Sequence, residues 1–287
     1  MPRLLVLDID GTLLNSEDIV TPIVKQAIAD ARELGVAVAL ATGRRVGSTR
    51  GVVEEIGISL PIVTFNGALV WDTATESAIH ELAFSPAVIR RIVELSHQAG
   101  LAPILLQGPG HGERIFVQAE NGLRPEYLEW FLDPRRSEVD ELPLEELVDI
   151  PGILTIDLFG PEEALKELGP QLDELEVQVY DVGQVSTQTH PPNWALNVHM
   201  PGASKAAGVQ VLAQSLGCTL QDVVAIGDGY NDLPLLEAAG IGVAMGNAHD
   251  EVKRRADVVV NGHDEDGVAE AIRRFVLEPL RSGAAGH

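Results

Sequence analysis

Residues 4–7 read Leu-Leu-Val-Leu and run without a break into Asp8, Ile9, Asp10, Gly11 and Thr12. Four consecutive apolar residues, with no alternation of polar ones, fit a strand covered on both faces, as in a parallel sheet packed between helices. Carboxylates two residues apart at the end of such a strand point the same way. Ligands of open α/β sheets bind just beyond those carboxyl ends. Two ionised groups so close repel, so the pair makes sense if a cation holds one and the other can carry a proton. The plainer reading is an Asp-Gly turn that follows a core strand.

The remainder of the chain predicts two regions. Helical periodicity over 22–34 and 46–56 alternates with apolar strands at 36–41 and 62–65, and Asn66-Gly67 leads into a hairpin strand at 69–72. Repeated β-α-β units imply a parallel sheet with right-handed crossovers. The pattern then restarts. A helix at 85–98 is followed by strands at 102–107, 114–118, 153–159 and 177–180, with helical stretches at 125–131 and 161–175 and a segment at 133–148 that is irregular or briefly helical. Residues 189–193, Thr-His-Pro-Pro-Asn, read as a linker. The β-α alternation resumes with strands at 194–200, 223–227, 241–244 and 258–260, and with helices at 204–216, 231–238, 251–255 and 267–276. The expected fold is α/β: a doubly wound, mainly parallel Rossmann-like core of residues 1–83 and 190–287, interrupted by an α+β domain of residues 84–189.

Charge narrows the partners. With 20 Lys+Arg against 43 Asp+Glu, the net charge is −23, which argues against nucleic-acid and anionic-membrane surfaces. The single cysteine excludes an internal disulfide framework and a Cys-cluster zinc site. No leader pattern or membrane-length apolar run is seen, so a cytoplasmic location is expected. An anionic substrate needs a local cationic site or a metal.

Three further segments supply what phosphoryl chemistry needs. Thr42 and Gly43, in Ala-Thr-Gly-Arg, stand at a strand-to-helix junction where a hydroxyl and free N–H groups can hold phosphate oxygens, or where Thr42 simply caps the helix. Lys205 follows a Pro-Gly-Ala-Ser turn at a helix start, a position that disfavours a cation, so it either meets an anionic partner or is solvated. Asp228 and Asp232, four apart in Gly-Asp-Gly-Tyr-Asn-Asp with Asn231 between them, can share a face and offer hard oxygen ligands of the kind that hold Mg²⁺.

Taken in order, Asp-Ile-Asp-Gly-Thr-Leu-Leu, Ala-Thr-Gly-Arg, Ser-Lys205 and Gly-Asp-Gly-Tyr-Asn-Asp resemble the haloacid dehalogenase superfamily, and more narrowly its Cof-type phosphatases with a large α/β (C2B-type) cap. Phe-Asn-Gly-Ala at 65–68 and Ala-Met-Gly-Asn-Ala at 244–248 extend the resemblance along the chain. It implies a Mg²⁺-dependent phosphatase acting on a small phosphorylated metabolite, a sugar phosphate or a nucleotide or cofactor phosphate, with a cap that closes over the substrate. By motif position, Asp8 is the nucleophile that becomes an aspartyl-phosphate, and Asp10 the general acid and then base. Asp8, the Asp10 carbonyl and Asp228 bind metal, Asp232 orients metal-bound water, and Gly11, Thr42, Gly43, Lys205 and Asn231 cradle the phosphate.

Two residues depart from the family pattern: Ala206 where Gly is common and Asn197 where Glu is frequent. Rival readings are a phosphomutase or phosphotransferase of the same fold and a non-catalytic ligand-binding regulator. The expected assembly is a monomer or homodimer. Arg44 either contacts a second anionic group or pairs with a surface acid, and His111 lies in a Gly-rich loop with no assigned role.

Overall fold

The computed structural model describes residues 2–119, 132–186 and 193–284. It divides into two units, 1–80 with 204–287, and 81–203. The predicted helix at 125–131 lies outside the described residues, as does the linker at 189–193 except for Asn193. No helix among the described residues is long and apolar enough to cross a membrane.

The first unit opens with β1 (Leu4–Leu7), followed by the helix Pro22–Glu33, β2 (Ala37–Leu40) and the helix Val46–Ile56. All four side chains of β1 are fully buried, as the unbroken apolar run requires. Thr21 caps its helix by accepting the Val24 N–H at 3.2 Å, and Pro22 occupies the first turn, where its missing N–H is harmless. A three-stranded sheet follows, with β3 (Ile62–Thr64), β4 (Leu69–Asp72) and β5 (Ser77–Glu81) in that order. The hairpin at Asn66-Gly67 is present; β5 was not expected, because its residues are largely exposed and carry no apolar face to signal a strand.

The second unit is built on a six-stranded sheet. Its strands are β6 (Ala102–Gln107), β7 (Ile115–Gln118), β8 (Val139–Leu142), β9 (Ile153–Gly160), β10 (Gln178–Ser186) and β11 (Asn193–His199). The order is β10-β11-β9-β6-β7-β8, mostly antiparallel, with β8 parallel to β7 at the edge. The helices Pro86–Gln98 and Glu162–Asp173 bury Ile89, Ile92, Leu165 and Leu168 with Leu105, Ile156, Leu158 and Leu196 of the sheet. On alternate positions of β9 and β11 stand Thr155, Asp157, Asn197 and His199.

Two expectations change here. The segment 133–148 is briefly helical, in a 3₁₀ turn and the short helix Leu144–Leu147, but it also forms β8, a strand that was not expected. More important, the strand expected at 194–200 is part of the second sheet, paired antiparallel with β9 and β10, so the chain returns to the first unit at 203/204 and not at 189/190. An apolar run announces a strand but not which sheet it joins.

After that return come the helix Lys205–Ser215, β12 (Val223–Gly227), the helix Leu233–Ala238, β13 (Ile241–Ala244), the helix Asp250–Arg255, β14 (Val258–Val259) and the helix Gly267–Ile272. The parallel sheet has the order β14-β13-β12-β1-β2. Strands thus leave β1 on one side through β2 and on the other through β12, a topological switch point of the sort at which doubly wound sheets bind ligands. Parallel register, Leu4 with Val223 through Leu7 with Ile226, brings the two acidic strand ends together although they lie far apart in sequence.

Candidate active site

Asp8 is the first residue beyond β1, and its N–H donates to the Ile226 carbonyl at 3.0 Å, extending the β1–β12 ladder by one rung. The Asp8 carboxylate is therefore held at the sheet edge by backbone geometry. It is buried, and Lys205 Nζ donates to its Oδ1 at 2.7 Å. The same ammonium donates to Asp232 Oδ1 at 2.7 Å. Lys205 is 0% exposed, which removes the solvated alternative.

Its placement follows from local structure. Ser204 caps the helix by accepting the Ala207 N–H, and the Ser204 carbonyl lies against Gly67. Gly67 has φ +90°, and a Cβ there would stand 1.9 Å from that carbonyl oxygen, so glycine is needed for the helix start to come this close.

The other oxygen of Asp232 is also committed. Its Oδ2 accepts the N–H groups of Asp228 and Gly229 at 3.1 and 2.9 Å. Asp232 thus fixes both the Lys205 ammonium and the backbone of the Asp228 loop. Asp228 in turn accepts a hydrogen bond from Thr12 Oγ1 at 2.9 Å. Gly11, at φ +69°, lets it in: a Cβ on Gly11 would fall 2.3 Å from Asp228 Oδ2.

One ligand atom from each of Asp8, Asp228 and Asp232 lies within 4.8 Å of the others. Three carboxylates face one buried cation. Burial drives the Asp8 carboxyl well above its ordinary value, Lys205 opposes this, and Asp232 and Asp228 add to the rise. Burial and then Asp232 push Asp228 up to about 6, against Thr12 and Lys205. Burial disfavours the charge on Lys205, but Asp232 and Asp8 outweigh it and hold the ammonium protonated, above its ordinary value. The excess of negative charge and the hard oxygen donors suit a divalent ion such as Mg²⁺.

Asp10 stands apart from this trio. Its carboxylate forms a bidentate pair with Arg44, Nε to Oδ2 at 2.8 Å and Nη2 to Oδ1 at 2.5 Å, and its side chain is 61% exposed. Thr42 is buried, and its Oγ1 accepts the Arg44 N–H at 3.1 Å, which leaves its own O–H to donate. Asn231 Nδ2 donates to Asn66 Oδ1 at 2.8 Å, and Gly43 lies against the same Asn66 amide. Asn66 has φ +52°, a left-handed conformation that asparagine tolerates better than most residues.

A family model of haloacid dehalogenase-like hydrolases matches residues 5–272. The chain belongs to this family. A 5-amino-6-(5-phospho-D-ribitylamino)uracil phosphatase of Bacillus subtilis is 31% identical over 96% of each chain. A pyridoxal phosphate phosphatase of Escherichia coli is 28% identical over 96% of this chain and 99% of its own. Among solved structures, a phosphatase of the haloalkanoate enzyme superfamily from Bacteroides thetaiotaomicron aligns with a TM-score of 0.77 at 28% identity, covering 96% of this chain and 95% of that one.

Two residues of this haloacid dehalogenase-like hydrolase, Thr12 and Asn66, join the site without being distinguished by sequence alone. Both sit inside quoted motifs, and the available signal was a polar side chain in an otherwise apolar or turn-forming run. Arg44, left open, is the partner of Asp10. His111 belongs to the second unit, where its Nε2 is 3.3 Å from Glu81 Oε1 and its ring packs against Gly152. Asn197 also lies in that unit, donating to Asp157 Oδ1 at 2.7 Å.

Proposed function

We propose that the chain is a Mg²⁺-dependent phosphatase that hydrolyses a small phosphorylated metabolite through an aspartyl-phosphate on Asp8. The observation that carries this reading is the buried Lys205 ammonium shared by Asp8 and Asp232, with Asp228 beside them. Hydrolysis of phosphoric monoesters agrees with the family and with its phosphatase relatives. Their substrates, a ribityl phosphate and a cofactor phosphate, support a sugar-phosphate or cofactor-phosphate class here.

Asp8 Oδ1 is tied to Lys205, so Oδ2 is the oxygen to attack phosphorus. As the new O–P bond forms, the ester O–P bond breaks and the leaving oxygen takes a proton from Asp10, which acts as the acid once an oxygen is released from its pair with Arg44. Asp10, now a carboxylate, removes a proton from water, whose oxygen attacks the acyl phosphate, releases inorganic phosphate and restores Asp8. Splitting one displacement into two lowers each barrier, and one carboxyl serves as acid and then base. Thr42, Gly43, Lys205 and Asn231 hold phosphate oxygens and spread the developing charge over fixed donors.

Asp8, Asp228 and the Asp10 carbonyl would hold Mg²⁺, which offsets the repulsion between an anionic nucleophile and an anionic phosphate. Asp232, with both oxygens engaged, acts by positioning Lys205 and the Asp228 loop. We assign catalysis to the 1–80 and 204–284 unit and substrate selection, as a cap, to the 81–203 unit. The test is phosphate release from a set of phosphorylated metabolites, with and without Mg²⁺. Asp8→Asn should fold normally and lose about four orders of magnitude in kcat; an active Asp8→Asn protein overturns the mechanism.

A further inference from the structure

We infer that Asn247 is a positioning residue that sets the spacing between the Gly11 carbonyl and the Asp228 carboxylate. This rests on the phosphatase reading above. Asn247 lies in the loop after β13, and its one amide group meets three other loops. Nδ2 donates to the Gly11 carbonyl at 2.8 Å and stands 3.5 Å from Asp228 Oδ2. Oδ1 accepts the His263 N–H at 3.0 Å, beyond β14. The loops that follow β1, β12 and β14 are thereby gauged against a single side chain.

The chemistry of the position favours a primary amide. A carboxylate would set a further negative charge beside Asp228 and face the Gly11 carbonyl with no proton to give. An ammonium would donate but could not accept from His263. A primary amide donates from one atom and accepts at another without changing the charge of the cluster, whereas a hydroxyl would have to do both from one oxygen. The spacing Asn247 controls is tight: a Cβ on Gly11 would fall 2.3 Å from Asp228 Oδ2. Thr12 fixes Asp228 Oδ1, while Asn247 flanks Oδ2, so the two residues bracket the carboxylate from opposite oxygens. Groups of this kind, which orient a metal-holding carboxylate without binding the metal, typically alter affinity or activity by about 10–100-fold when removed.

The experiment is magnesium titration of the full chain by calorimetry, which reads binding without turnover, combined with p-nitrophenyl phosphate kinetics. For Asn247→Ala, Mg²⁺ affinity should weaken by about tenfold or more. The metal-free thermal midpoint should stay within about 2 °C of wild type, and KM should change less than about twofold while kcat falls. A folded Asn247→Ala protein with wild-type Mg²⁺ affinity and kcat overturns the inference. If Asn247→Ala does not fold, Asn247→Asp takes its place, since it keeps the size and the acceptor for the His263 N–H but loses the donor. Its kcat at saturating Mg²⁺ should drop by about tenfold or more, and an undiminished kcat overturns the inference. Failure of the underlying reading looks different: Asp8→Asn would stay active. A wild type that requires Asp8 and Mg²⁺, with an unaffected Asn247 variant, sinks this inference alone.

Discussion

The two units bury polar groups in opposite ways. At the strand ends of the parallel sheet, Asp8 and Asp232 are buried around the Lys205 ammonium, which donates to both at 2.7 Å. In the six-stranded sheet, His199 is equally buried but held neutral: burial drives its pKa down to about 4. Its Nδ1 lies 3.1 Å from Thr155 Oγ1 and 3.2 Å from the Leu154 carbonyl, and its ring meets Tyr180 edge-on. A buried charge survives only beside a partner, and at His199 burial favours the neutral ring. The first arrangement stores charge for use on an anionic substrate; the second is packing.

The largest effect expected on this contrast comes from Lys205→Met. It leaves three carboxylates facing one another without their cation, and removing one partner of a buried ionic group costs about 3–5 kcal/mol. Urea denaturation in the presence of a chelator measures it, with loss of phosphatase activity alongside. A variant as stable as wild type would mean that the ammonium is dispensable to the cluster.

The two units should also respond to pH with opposite signs. Asp228 has a folded pKa raised from 3.8 to about 6, so the folded state binds the extra proton. Its contribution is complete below the unfolded value and is lost as pH rises through about 6. His199 is lowered from 6.5 to about 4, so its contribution is complete above 6.5 and is lost as pH falls toward 4. Each shift corresponds to about 3 kcal/mol at its full extent. The two windows overlap, so in metal-free protein the contributions oppose each other between about pH 4 and 6; adding Mg²⁺ should remove the first and leave stability rising with pH, and His199→Gln should remove the second and leave it falling. An NMR titration of His199 with an ordinary midpoint would break the contrast.

The smallest effect belongs to charges that are neither buried nor at the site. Arg114 pairs bidentately with Asp140 at 2.7 and 2.8 Å, yet both side chains are more than a third exposed. Arg114→Ala should cost about 0.5 kcal/mol or less, since water and salt screen such pairs. A loss several times larger would place this pair among the buried ones.

Much of the fold was legible in residue order because its signals are local. The unbroken apolar run at Leu4–Leu7, the Thr21-Pro22 and Ser204 helix starts and the Asn66-Gly67 turn each act within a few residues. Where that signal is absent the elements are not legible: β5 and β8 carry few apolar side chains, and 194–200 holds no hint of which sheet it enters. The site was legible as motifs, but the partners within it were not.

The sequence by itself determined that carboxylates stand at the ends of two apolar strands, that a lysine opens a helix and that glycine follows Asp10, because these depend on residue type and near neighbours. Tertiary structure decided the rest. Parallel pairing of β1 with β12 brought Asp8 to Asp228, and the close approach at Gly67 buried Lys205 between Asp8 and Asp232. Loop packing gave Asp10 to Arg44 and set Asn247 between Gly11 and Asp228. Charges and hydrogen bonds reach only a few ångströms, so what each group does depends on which distant segment the fold places within that range.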